Sequence, residues 1–62
     1  MNLQGNEMVN IQAQDKNGVW RTYHSTMNNS QRILSEMKSL QGRFPDYRVR
    51  AIDSQGKLVD ML

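Results

Sequence analysis

Asp15 Lys16 Asn17 Gly18 and Asp53 Ser54 Gln55 Gly56 repeat one spacing, an aspartate followed three residues later by glycine, each behind a run of alternating apolar residues. Asp at the first position of a type I turn accepts hydrogen bonds from backbone donors further along the loop, and Gly supplies the left-handed residue that follows. Each stretch therefore reads as a three-residue hairpin loop with a glycine bulge. Asn17 Gly18 is also a favoured pair for a two-residue type I′ loop, which would slip the second strand by one residue and bury Trp20 and His24 in place of Tyr23. Gln55 Gly56 has no such preference while keeping the same Asp and Gly spacing, so the bulged loop is the consistent choice for both. Superposing the aspartates matches Ile11 with Val49 and Ala13 with Ala51, and one helical pattern lies between the hairpins. The expected fold is α+β, ββαββ, a four-stranded antiparallel sheet with one helix on one face. A helix crossing from the second strand to the third favours the order 2-1-3-4.

The loops set an expected register. In the first hairpin Asp15 faces Val19, Ala13 faces Arg21 and Ile11 faces Tyr23, so that Val9, Ile11, Ala13, Val19 and Tyr23 share the apolar side. Trp20, Thr22 and His24 then share the other side with Gln12 and Gln14. In the second hairpin, which begins at Tyr47, Ala51 faces Val59, Val49 faces Met61, Ile52 faces Leu58 and Arg50 faces Asp60. Between them Asn28 opens a helix, with Gln31 completing a capping box and Met27 closing over the core. Ile33, Leu34, Met37 and Leu40 form its apolar stripe. Gly42 suits the left-handed position after the last turn and Pro45 prevents continuation, placing the end near Gln41, with Phe44 folding back. The expected core joins these helical residues and Phe44 to Val9, Ile11, Ala13, Val19, Tyr23, Met27, Val49, Ala51, Val59 and Met61.

With 62 residues the chain is one domain, 1–62, whose polar first six residues are expected to fray. Domains of this size have marginal cores and commonly add a disulfide, a metal or a partner subunit. The chain has no cysteine and one histidine, which leaves self-association or an unusually regular fold as the remaining support. Eight Lys plus Arg against six Asp plus Glu give a formal charge of +2, and Asp46 lies among the nearest cluster of positives, Arg43, Arg48 and Arg50. This is a mixed-charge surface rather than a basic stripe. No apolar run exceeds two residues, and the amino terminus has neither a basic nor an apolar leader region. Neither a membrane span nor a secretory signal is expected, and the absence of cysteine fits a reducing, cytoplasmic setting. Asn28 Asn29 Ser30 matches a glycosylation acceptor pattern but reads better as a helix start.

No catalytic, metal-binding or nucleotide-binding motif is present, so no enzyme, cofactor or metal is expected. Asp15 and Asp53 are accounted for by their turns, and His24 is the sole imidazole for any nucleophile. Trp20 carries the most functional weight. In the expected register it stands on the helix-free face near Ile52 and Leu58, with Gln12, Arg48 and Arg50 around it, an apolar centre with a polar rim. The plainer reading is a lone surface Trp packed over neighbouring stems. The function that follows is a small non-enzymatic interaction module that binds itself, as a homodimer, or a protein partner through this face, using Trp20, Ile52, Leu58, Arg48, Arg50 and Gln12. The alternative is a weak RNA or single-stranded DNA binder in which Arg21, Arg48 and Arg50 track the backbone while Trp20 stacks on a base. An accessory structural subunit comes third.

Overall fold

A computed structural model describes residues 7–62, and the fraying expected at Met1 to Asn6 lies outside them. Both loops close as their chemistry requires. Asp15 N–H donates to the Val19 carbonyl, Gly18 N–H donates to the Asp15 carbonyl (both 3.0 Å), and Gly18 has φ +82°. The Asp15 carboxylate accepts from Asn17 N–H and Val19 N–H at 2.9 and 3.0 Å. Asp53 repeats the arrangement, accepting from Gln55 N–H and Lys57 N–H at 2.9 Å each, with Gly56 at φ +81°. The Asp15 carboxyl is held below its ordinary value of 3.8, chiefly by the bond from Val19; partial desolvation opposes this, and Asn17 and Arg21 assist it.

These loops join β1 (Met8–Gln14) to β2 (Trp20–Met27) and β3 (Arg48–Ile52) to β4 (Leu58–Met61), with helix α1 (Ser30–Arg43) between. The sheet is antiparallel in the order β2-β1-β3-β4, as the crossover argument requires. Its centre is pseudo-symmetric. Ile11 faces Ala51 and Ala13 faces Val49. The shift that carries Asp15 onto Asp53 therefore exchanges the two hairpins about an axis through the Gln12–Arg50 pair.

Each outer strand carries a bulge that the sequence does not announce. On β2 the pairing runs Gln14–Trp20, Ala13–Arg21 and Gln12–Thr22, then skips Tyr23 and resumes with Ile11–His24, Asn10–Ser25, Val9–Thr26 and Met8–Met27. The expected Ile11–Tyr23 pair is thus replaced by Ile11–His24. An extra residue reverses the alternation beyond it. Tyr23 and His24 both serve the helix side, where Tyr23 meets Phe44 at 5.1 Å between ring centroids and His24 Nε2 lies 3.4 Å from Glu36 Oε2. Thr26 turns inward and is buried, while Met27, expected inside, is exposed opposite Met8. On β4 the extra residue is Val59: Ile52 faces Leu58 as expected, but Ala51 faces Asp60 and Arg50 faces Met61. Met61 accordingly leaves the core for the helix-free face, and the Arg50–Asp60 pair does not form.

The helix starts one residue later than expected. Asn29 is the cap, accepting from Arg32 N–H at 3.0 Å, so the Asn28–Gln31 box is not used. Gly42 stays helical, and the stop comes at Phe44, which leaves the helical conformation (φ −131°, ψ 72°) just before Pro45 while its own N–H still donates to the Leu40 carbonyl. α1 lies over β1, β2 and β3. Ile33, Met37 and Leu40 pack on Val9, Ile11, Ala13, Val49 and Ala51, with Phe44 and Tyr47 stacked beside them at 5.1 Å. Leu34 projects about 200° around the helix from Glu36, on the flank away from β2, and is exposed together with Val19 and Val59. A single helix covers three strands, which is why the real core is smaller than the expected one.

Leu40→Ala should cost about 2–5 kcal/mol in chemical denaturation, whereas Leu34→Ala should cost well under half as much. A folded-state pKa below the unfolded value means that the Asp15 carboxylate stabilises the fold above the ordinary carboxylate range and that this is lost as pH falls through the folded value. Asp15→Asn should therefore show a shallower loss of denaturation midpoint between neutral and acid pH than the parent.

Candidate functional site

The helix-free face is built in rows by the observed register. Trp20, Gln14 and Arg48 form the first; Thr22, Gln12, Arg50 and Met61 the second; Ser25, Asn10, Ile52 and Leu58 the third; and Met27 and Met8 close the end. All six residues singled out from the sequence lie on this face, but they do not form one apolar patch. Trp20 and the Ile52–Leu58 pair are four residues apart along β1, about 13 Å. The expected apolar centre with a polar rim is inverted, leaving a polar centre between two apolar ends.

That centre is internally bonded. Gln12 Nε2 donates to Thr22 Oγ1 at 2.9 Å and Gln12 Oε1 accepts from Arg50 Nε at 2.8 Å, so one amide ties three strands together. Arg50 Cζ lies 4.0 Å from the Trp20 ring centroid, covering one face of the indole with a guanidinium. Gln14 Nε2 donates to the Gly18 carbonyl at 3.2 Å, and Ser25 Oγ donates to Asn10 Oδ1 at 2.8 Å. Arg48 reaches Met61 Sδ at 3.7 Å. With Asp60 turned to the opposite side, the rows carry two arginines and no carboxylate.

The apolar end has a different character. Leu58 is 59% exposed, the most open large apolar residue on the sheet, and Met8 and Met27 are also exposed beside half-buried Ile52. Alternation along β1 already places Met8 on this face, whereas sequence reasoning missed Met27, because only the bulge at Tyr23 brings it here.

Across the sheet, β2 and α1 border a shallow cleft of about 210 Å3 lined by Tyr23, His24, Glu36, Ser39, Leu40 and Arg43. His24 was expected on the helix-free face; the bulge moves it here, against Glu36. Arg43 is drawn over the Phe44 ring at 5.3 Å. Among the described residues no three His, Asp or Glu side chains are grouped to hold a metal ion, and no helix is long and apolar enough to cross a membrane.

Compared with known proteins, the chain matches no family, no curated protein and no solved structure.

The Arg50–Trp20 contact has a direct optical readout, since Trp20 is the sole tryptophan. Arg50→Ala should raise the acrylamide quenching constant of the indole and shift its emission to longer wavelength, while Arg48→Ala leaves both near the parent values.

Proposed function

We propose that the protein is a small non-enzymatic interaction module whose helix-free sheet face receives a protein partner. One observation carries the reading: exposed Leu58, Met8 and Met27 border a centre whose polar side chains already satisfy one another through Gln12. A surface ordered before binding loses little side-chain entropy on contact, and an apolar margin supplies the favourable burial. Arg48 and Arg50, with no carboxylate among the rows, suit a partner that presents acidic groups next to an apolar strip. Trp20 and Arg50 are residue types that concentrate binding energy at interfaces. The cysteine-free composition supports a cytoplasmic setting.

The nucleic-acid alternative has less support. Sheet-face RNA binders stack bases on two or three aromatics, whereas this face has one, and Arg50 already occupies one side of it. Two measurements separate the readings. Proteins retained from an extract of the source cells by the immobilised parent should fall about tenfold or more on a Leu58→Asp chain and stay unchanged on a chain carrying Lys38→Ala on the outer helix surface. An unchanged set on Leu58→Asp overturns the face reading. Fluorescence anisotropy with labelled single-stranded RNA should show no saturable binding; binding that weakens steeply with salt and is lost with Arg48→Ala and Arg50→Ala together would establish the alternative in its place.

A further inference from the structure

The two edges of the sheet differ in a way that neither face explains. β4 is a four-residue edge, and the Asp60 carboxylate accepts from Met61 N–H at 2.8 Å. Leu62 N–H donates inward to the Val49 carbonyl, so alternation turns the Met61 N–H outward, and the contact with Asp60 occupies that one edge donor on a strand half the length of β2. β2 is an edge of eight residues without proline or lysine, and nothing pairs with its outer side among the described residues. Its Arg21 and His24 side chains are engaged on the helix side, Arg21 by Asp15 at 3.5 Å and His24 by Glu36 at 3.4 Å.

The ladder fixes which β2 backbone groups point outward. Asp15–Val19 at one end and Glu7–Asn28 at the other both have backbone hydrogen bonds. Counting inward by the antiparallel alternation from either end makes Gln14–Trp20, Gln12–Thr22, Asn10–Ser25 and Met8–Met27 the pairs whose N–H and C=O groups face away from each other. Trp20, Thr22 and Ser25 therefore present free backbone groups at the open edge, while the Met27 carbonyl is taken by Asn29 N–H at 2.7 Å.

We propose that this edge pairs with β2 of a second copy of the same chain, antiparallel, about a two-fold axis between Tyr23 and His24. The bulge selects the occupant. On a lone edge it interrupts the alternation and opposes pairing with a regular strand. A second copy carries the same interruption, and in this register the two coincide. Thr22 then faces Ser25 of the second copy and Trp20 faces its Met27, all on the helix-free side, while Arg21 faces Thr26 and Tyr23 faces His24 on the other. No two side chains of like formal charge lie opposite each other. The contact uses one surface twice about the two-fold axis and so closes at two copies instead of growing into a fibre. The inference is independent of the face reading, and the pair would present two helix-free faces as one.

The test uses the full 62-residue chain, short enough for chemical synthesis, so that one backbone nitrogen is altered without touching a side chain. Sedimentation velocity should show a concentration-dependent dimer, and hydrogen exchange should show the Thr22 and Ser25 amides gaining protection as concentration rises. N-methylation of Thr22 removes one outward donor from each copy and should weaken dimerisation by about tenfold or more, with circular dichroism unchanged. Leu58→Asp should leave the dimer intact. A chain that stays monomeric throughout, or Thr22 and Ser25 amides already protected in the monomer, overturns the proposal. So does a dimer that survives N-methylation of Thr22 but is lost with Leu58→Asp, a result that would retain the face as the surface of contact.

Discussion

In each hairpin an aspartate oxygen accepts from two backbone donors of the loop, and a glycine takes the left-handed conformation that closes it. Because strand side chains alternate, fixing the loop fixes which residues near it face the helix. Ala13, Val49 and Ala51 are directed inward by this rule, and Gln12, Gln14, Arg48 and Arg50 outward. The pseudo-symmetric packing of Ile11 on Ala51 and of Ala13 on Val49 depends on both loops being set alike. A two-residue loop at Asn17 Gly18 would have turned Trp20 into a core of small partners and taken it away from Arg50.

What could be read from the residues ends where the bulges begin. The loops, the strand order, the helical stripe and the central pairs follow from turn chemistry and periodicity, which are local. The bulges at Tyr23 and Val59 have no comparable signal, since no described non-glycine residue takes a positive φ and no glycine marks either site. They are resolved only by packing: Tyr23 reaches Phe44 and His24 reaches Glu36, two contacts that a regular strand does not give together. From there the outward Met27 and inward Thr26 follow from the alternation reversed at Tyr23, and the outward Met61 from the one reversed at Val59. Leu34 and Val59 were misjudged for another reason, as one helix is too narrow to cover four strands. The site residues were placed on the right face but not at the right separation, because Trp20 and Leu58 belong to opposite edges and different rows.

The helix-free face shows how a sheet with one uncovered side avoids exposing unbonded polar groups. Gln12 serves as donor to Thr22 and acceptor from Arg50, and the same guanidinium lies over Trp20. Most of the side-chain bonding on this face passes through the central strand, while the apolar surface is displaced to the Met8, Met27 and Leu58 end. The helix removes the symmetry that the hairpins share. By packing over β2, it holds Tyr23 and His24 on its own side and supports a long edge there, while β4 lies outside its footprint and stays short.

The axis through Gln12 and Arg50 also separates the local pairings of this chain from its one long-range strand pairing. Each hairpin joins strands through a three-residue loop, so both form from neighbouring residues on the microsecond scale typical of such units. Pairing β1 with β3 is different, because it closes a loop containing β2 and the whole of α1. That closure entropy must be met before the central contacts compensate for it. The β1–β3 pairing about Gln12 and Arg50 thus carries the largest loop-closure cost in the fold, and the apolar partners of the helix are complete only when both hairpins are in place.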